Sequence, residues 1–115
     1  MEAIMKLDRS TTSDALIVHV RESRIDAACA IDFKEAMRDI TQTLDCRLIL
    51  DLAEVGFIDS SGLGAVVAVR KMLRPESVLE LARLSPAVEK VFRLTRMDGV
   101  FPIHPALPQD LRHAV

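Results

Sequence analysis

Leu48-Ile49-Leu50-Asp51-Leu52-Ala53-Glu54-Val55-Gly56-Phe57-Ile58-Asp59-Ser60-Ser61-Gly62-Leu63-Gly64-Ala65-Val66-Val67-Ala68-Val69-Arg70-Lys71-Met72-Leu73 decides how this chain folds. The run Leu48 to Leu52 is short, apolar and branched, which suits a strand covered on both faces. After Phe57-Ile58 comes a polar turn, Asp59-Ser60-Ser61-Gly62. From Leu63 to Leu73 the chain is again apolar and rich in small residues, so it reads as a helix packed on a sheet. Asp and Ser oxygens cap helix starts by accepting from backbone N–H groups that lack a partner in the first turn. Gly62 and Gly64 have no Cβ, so another backbone or a bulky group can come close. Open α/β sheets also place ligands and partners at such strand-to-helix turns, and the helix dipole there favours a phosphate. Two readings of the turn stay open on these residues alone: a simple helix cap, or a site of docking and modification.

Working outward, composition narrows the function class. The 115 residues suffice for one domain, 1–115, with a real core. Half are hydrophobic, which argues against disorder. Four Phe and no Trp or Tyr leave no platform for stacking bases, and a net charge of −2 gives no footprint for nucleic acid. No apolar run approaches the ~20 residues that span a bilayer. Met1-Glu2-Ala3-Ile4-Met5-Lys6 lacks the basic-then-apolar pattern of a signal peptide. The expectation is a cytoplasmic protein without a membrane partner. Cys29 and Cys46 stand far apart with no His or Cys at ligand spacing, so both read as small buried hydrophobes, with no metal and no cofactor implied.

In chain order, Ile4 to Leu7 reads as a weak first strand and 8–14 as a polar turn region. Ala15 to Arg21 is a stronger strand, with Leu16, Val18 and Val20 on one face and Ile17, His19 and Arg21 on the other, more polar one. Asp26 is a candidate N-cap for a helix from about Ala27 to Leu44, whose inner stripe is Cys29, Phe33, Ala36, Met37, Ile40 and Leu44. In the helix after Ser60, Leu63, Val66, Val67, Arg70 and Leu73 share one side. Arg70, Lys71 and Arg74 complement its C-terminal dipole, and Pro75 stops it. Val78 to Leu84 reads as a strand parallel to the one at 47–52, since a helix connects them. Ser85-Pro86 opens a further helix with Val88, Val91, Phe92 and Thr95 inside, and Pro108 to Val115 reads as a short terminal helix.

Phe57-Ile58-Asp59-Ser60-Ser61-Gly62-Leu63-Gly64 resembles the signature turn of the STAS family, which includes the anti-sigma factor antagonists and domains of sulphate transporters. Ser23-Arg24-Ile25-Asp26, Ser85-Pro86-Ala87-Val88 and the segment 94–103 extend the resemblance over nearly the whole chain. It implies an α/β fold with a mixed sheet of about four to five strands and flanking helices. Matched residue by residue, it implies phosphorylation at Ser60 and a partner face built from Asp26, Asp59, Ser60, Ser61, Gly62, Leu63 and Gly64. The implied partner is an anti-sigma factor that is also a serine protein kinase, and the chain is then its substrate and not an enzyme. The alternative it leaves is an unphosphorylated regulatory subunit of a transporter or signalling complex. Three departures stand out. Ser23-Arg24 replaces a Gly-Glu, Arg74-Pro75-Glu76-Ser77 replaces a Gly-Gly turn, and Arg96 stands where the family prefers Gly.

Other chemistries fit poorly. Neither Ser60 nor Ser61 sits in a Gly-x-Ser-x-Gly elbow, and no His is near in sequence. No Lys-Ser or Lys-Thr follows the glycines as in a P-loop, and Val67 occupies the place of a dinucleotide motif's third glycine.

Overall fold

The branched run at 48–50 becomes the centre of the sheet. In the computed structural model, which describes residues 5–108 and the backbone of Arg112 and His113, β4 (Arg47–Asp51) lies between two parallel neighbours, β2 (Ala15–Val20) and β6 (Leu79–Ala82). Leu48, Ile49 and Leu50 are inaccessible on both faces, as the unbroken apolar run requires. β1 (Leu7–Thr11) pairs antiparallel with β2, and β7 (Ile103–His104) pairs parallel with β6. β8, the two residues Arg112–His113, pairs antiparallel with Ser10 and Thr11 at the far edge. The sheet order is β7-β6-β4-β2-β1-β8.

Two edges differ from the sequence expectation. The first strand begins at Leu7 and consumes most of the expected turn, while Ile4 lies outside the described residues. Polar Asp8 and Arg9 tolerate this because β1 leaves them exposed. Only 12–14 turn, held by the Thr12 hydroxyl accepting from Ala15 N at 3.0 Å. The terminal helix expected over 108–115 is replaced at Arg112 and His113 by β8, which satisfies the open backbone groups of β1.

Among the described residues three helices follow: α1 (Ala30–Thr41), α2 (Ser60–Met72) and α3 (Pro86–Leu94), with a 3-10 turn at Met97–Gly99. α1 starts later than Ala27. The Asp26 carboxylate accepts from Ala28 N and its carbonyl from Cys29 N, closing a separate turn ahead of the helix. Asp26 therefore caps that turn, and Cys29 holds the N-cap position. Phe33, Met37 and Ile40 are buried as the periodicity requires. α2 is rotated from its expected face. Gly62, Ala65, Val66 and Val69 point inward and Arg70 is exposed. From Gly62 to Val69 this helix is apolar throughout, so hydrophobic contrast could not set its rotation. The small pair Gly62 and Ala65 does so by permitting the closest approach. α3 follows its signals: Ser85 Oγ accepts from Val88 N at 3.3 Å and Pro86 takes the first position. β6 is shorter than 78–84, because Arg83 leaves the extended region with φ 57°.

Arg96 also has a left-handed backbone, φ 61°, after the end of α3. That conformation costs a side-chain-bearing residue about 1–2 kcal/mol, and Gly gives back roughly 0.5–1 kcal/mol in chain entropy. Arg96→Gly is therefore expected to stabilise the fold by about 0.5–1 kcal/mol, read as a higher denaturant midpoint at unchanged slope.

The helices share the main core with Val18, Val20, Leu48, Leu50 and Leu81. The opposite sheet face carries a smaller cluster, Ala15, Ile17, Ile49 and Ala82, with Leu107 against it. Polar groups fill the rest of that face. Ser10 Oγ meets His19 Nε2 at 2.7 Å, and His19 Nδ1 meets Asp51 Oδ2 at 2.6 Å. Arg83 donates to both Asp51 oxygens at 3.0 and 2.6 Å. His19 does lie on the more polar face, but it is only 4% exposed. In a neutral ring, these two contacts are both met with the proton on Nδ1 toward Asp51 and Nε2 accepting from the Ser10 hydroxyl. The order Ser-His-Asp is that of an acyl-transfer relay. Sealed within the fold, it stitches β1, β2 and β4. Beside it Arg47 forks onto Glu80 at 2.7 Å, and His104 Nε2 contacts Glu80 Oε1 at 2.7 Å.

Burial pushes the Asp51 carboxyl up, but hydrogen bonds from Arg83 and His19 outweigh it and leave it below the ordinary carboxylate range. Hydrogen bonding from Arg47, against burial, lowers Glu80 as well. A carboxylate depressed in the folded state contributes stability above its unfolded pKa, about 4, and loses it as pH falls through the folded value. The melting temperature is expected to drop steeply between about pH 5 and pH 2. A melting temperature that stays flat across that window would contradict the assigned network.

Candidate functional site

The polar turn sits at the end of a second, two-stranded sheet. β3 (Arg24–Ile25) and β5 (Phe57–Ile58) pair in parallel, Arg24 with Phe57 and Ile25 with Ile58. Ile25 and Ile58 are buried, while Arg24 and Phe57 face outward. Neither segment is assigned to a strand by the sequence reading, although each carries the same triplet: an outward residue, an isoleucine and an aspartate. That shared alternation was the signal available.

Asp59 follows β5 and holds the site together. Its Oδ1 accepts from Gly62 N at 2.8 Å and its carbonyl accepts from Leu63 N at 2.8 Å, so it is the N-cap of α2. Its Oδ2 accepts from Ala27 N at 3.1 Å and ties the turn to the loop after β3. Hydrogen bonds from Gly62 first, then Ala27 and Ser61, outweigh desolvation and hold its carboxyl below the ordinary range. Asp26 joins the same ensemble: its carboxylate accepts from Arg24 Nη1 at 3.2 Å. The Arg24 guanidinium also lies 5.0 Å from the centre of the Phe57 ring, within cation–π range.

Ser60 and Ser61 are exposed on the first turn of α2. Gly62 is buried, and a Cβ there would lie 1.9 Å from the Ile25 carbonyl oxygen. Its missing side chain is therefore used inside the molecule to seat α2 against β3. Gly64 is the opposite case, exposed with open space where its Cβ would stand. Leu63 is half-buried and packs against the core. Asp26, Asp59, Ser60, Ser61, Leu63 and Gly64 are thus brought to one turn region, with Gly62 beneath them.

Cys29 and Cys46 are half-buried rather than sealed, and neither forms a disulfide. Burial pushes the Cys29 thiol up, which disfavours the thiolate. A shallow cavity of about 260 Å³ adjoins the site, lined by Met5, Glu22, Arg24, Asp26, Cys29 and Asp32 among others. Among the described residues no group of His, Cys, Asp and Glu is placed to hold a metal ion, and no helix is long and apolar enough to cross a membrane. His19 and His104 contact carboxylates on the large sheet.

A family model described as STAS domain matches residues 6–109. The anti-sigma-B factor antagonist of Listeria monocytogenes is 36% identical over 80 residues, covering 69% of this chain and 70% of that protein. The crystal structure of an anti-sigma factor antagonist from Mycobacterium paratuberculosis superposes with a TM-score of 0.80 at 25% identity, covering 93% of this chain and 92% of that one. The Bacillus cell fate determinant SpoIIAA in its phosphorylated form gives a TM-score of 0.62 at 20% identity, covering 89% and 91%, a likeness of fold alone.

Proposed function

This chain belongs to the STAS domain family, and from that premise we propose that it is an anti-sigma factor antagonist whose docking is switched by phosphorylation of Ser60. The observation that carries this is an exposed serine hydroxyl on the first turn of α2, beside an aspartate already committed as the cap. The partner is an anti-sigma factor of the serine-kinase type, and the encounter takes place in the cytoplasm. Unmodified, the chain docks through the rim formed by Asp26, Asp59, Ser60, Ser61, Leu63 and Gly64, with Gly62 supporting it from below. The anti-sigma factor is thereby held, and its sigma factor is freed. The kinase moves the terminal phosphoryl group of ATP onto Ser60 Oγ; the hydroxyl proton leaves and ADP departs. All of that chemistry belongs to the partner, and this chain is its substrate. The relative's name as an anti-sigma-B factor antagonist supports the antagonist role.

The phosphate adds roughly −1.5 to −2 charges. Exposure lets the folded chain carry that charge, while a docked partner would have to desolvate it. Incubation with a candidate anti-sigma kinase and ATP, followed by peptide mass mapping, tests the assignment. One phosphate on the peptide carrying Ser60, absent from Ser60→Ala, is expected. Phosphate on Ser61 or elsewhere in its place would overturn it.

A further inference from the structure

A phosphate on Ser60 finds the start of α2 already occupied. Asp59 takes the N–H of Gly62 on one oxygen and that of Ala27 on the other. The donors that would ordinarily receive an anion at a helix start are thus shared with a resident one. A second anion next to it needs a cation. Over 22–33 and 53–69, which carry the two short strands and the turn, the one basic residue is Arg24, while α3, also packed on β5, brings Lys90 and Arg93.

Its geometry suits the role. Arg24 and Phe57 are register partners, with Asp26 and Asp59 following at the ends of the same two short strands. The guanidinium contacts Asp26, which follows β3 at the end where Asp59 and Ser60 follow β5. Among the described residues the Arg24 side chain makes two weak contacts, one of 3.2 Å to Asp26 and one with the face of the Phe57 ring, and 60% of it is exposed. An exposed arginine of this kind is free to re-aim, and its fork matches a phosphate in two-point geometry.

We propose that Arg24 is the in-chain counter-charge for a phosphate on Ser60, turning from Asp26 and the Phe57 ring to the phosphoryl oxygens when Ser60 is modified. This deepens, and rests on, the reading of Ser60 as the switch. The consequence reaches the docking rim: Phe57, already 45% exposed, loses its cationic cover, and Asp26 loses its pair. Phosphorylation thus changes the shape and charge distribution of the face as well as its net charge.

The test uses the full chain with phosphoserine installed at 60 during synthesis, so it does not depend on any kinase. Phosphorus NMR titration reads the second ionisation of the phosphate. In the parent it should fall at a pH roughly half a unit below that in Arg24→Gln, the size expected of an exposed ion pair. Arg24→Lys, which keeps the charge but loses the fork, should fall between. The gap should narrow at about 1 M salt, and the Phe57 ring resonances should move on phosphorylation only when Arg24 is present. Identical titrations in parent and Arg24→Gln, with matching amide spectra, would overturn the proposal. Failure of every candidate kinase to modify Ser60 would instead strike the functional reading, and this titration would stand apart from it.

Discussion

Ser60→Asp is expected to fold like the parent and to bind the anti-sigma partner tens to thousands of times more weakly, whereas Ser60→Ala binds constitutively. Ser60 is exposed on the first turn of α2, so a new carboxylate there meets water in the free chain and costs the fold little. The dipole of α2 even offsets part of the repulsion from Asp59, by ~0.3–1 kcal/mol. In the proposed complex the same charge would be desolvated beside Asp59, whose own oxygens are locked on Gly62 N and Ala27 N. A mispaired charge buried in an interface costs on the order of 2–5 kcal/mol. Titration calorimetry with the purified partner and a thermal melt of the free variant separate the two effects. A Ser60→Asp chain that melts and binds like the parent would contradict the switch.

The second large effect is structural. Gly62→Ala is expected to destabilise the fold by about 3 kcal/mol, the upper end of what overpacking usually costs. Its Cβ would lie 1.9 Å from the Ile25 carbonyl oxygen and 2.7 Å from the carbonyl carbon. These are backbone atoms held by the Ile25–Ile58 pairing, so they cannot rotate away. The melting temperature should fall by roughly 10 °C or more. Gly64→Ala is the control. With open space around it, the added methyl should raise helix stability by up to ~1 kcal/mol. Equal melting temperatures for the two variants would show that α2 does not rest on β3 through Gly62.

This contrast also marks what the sequence made legible. Two glycines separated by one residue, Gly62 and Gly64, look alike on paper, and both read as room for a partner. Only the path of β3 separates the one that seats the helix from the one that faces solvent. The strand at 47–51 and the helix opened by Ser85-Pro86 were readable because one pattern, an unbroken branched run or a cap followed by proline, dictates the outcome. The inward face of α2 was not, since nearly uniform hydrophobicity carries no direction. The start of α1 slipped because Asp26 could cap either the helix or a turn ahead of it, and the local bond to Ala28 N won. His19 was placed on the polar face by strand alternation. Its burial depends on Ser10, Asp51 and Arg83, which come from three other segments. At the Ser60 turn, the residues named from the signature were placed together, while the tie from Asp59 to Ala27 and the Arg24–Phe57 stack are contacts across distant sequence that no local pattern encodes.

One comparison goes straight to the centre of this account: the dissociation constant of the anti-sigma partner for the chain carrying phosphoserine at 60 against the same chain unmodified, both from one calorimeter at one ionic strength. Affinity at least tenfold weaker for the phosphorylated chain, with its amide spectrum unchanged outside the two short strands and the turn, is the predicted result. Equal affinity for the two forms would contradict it.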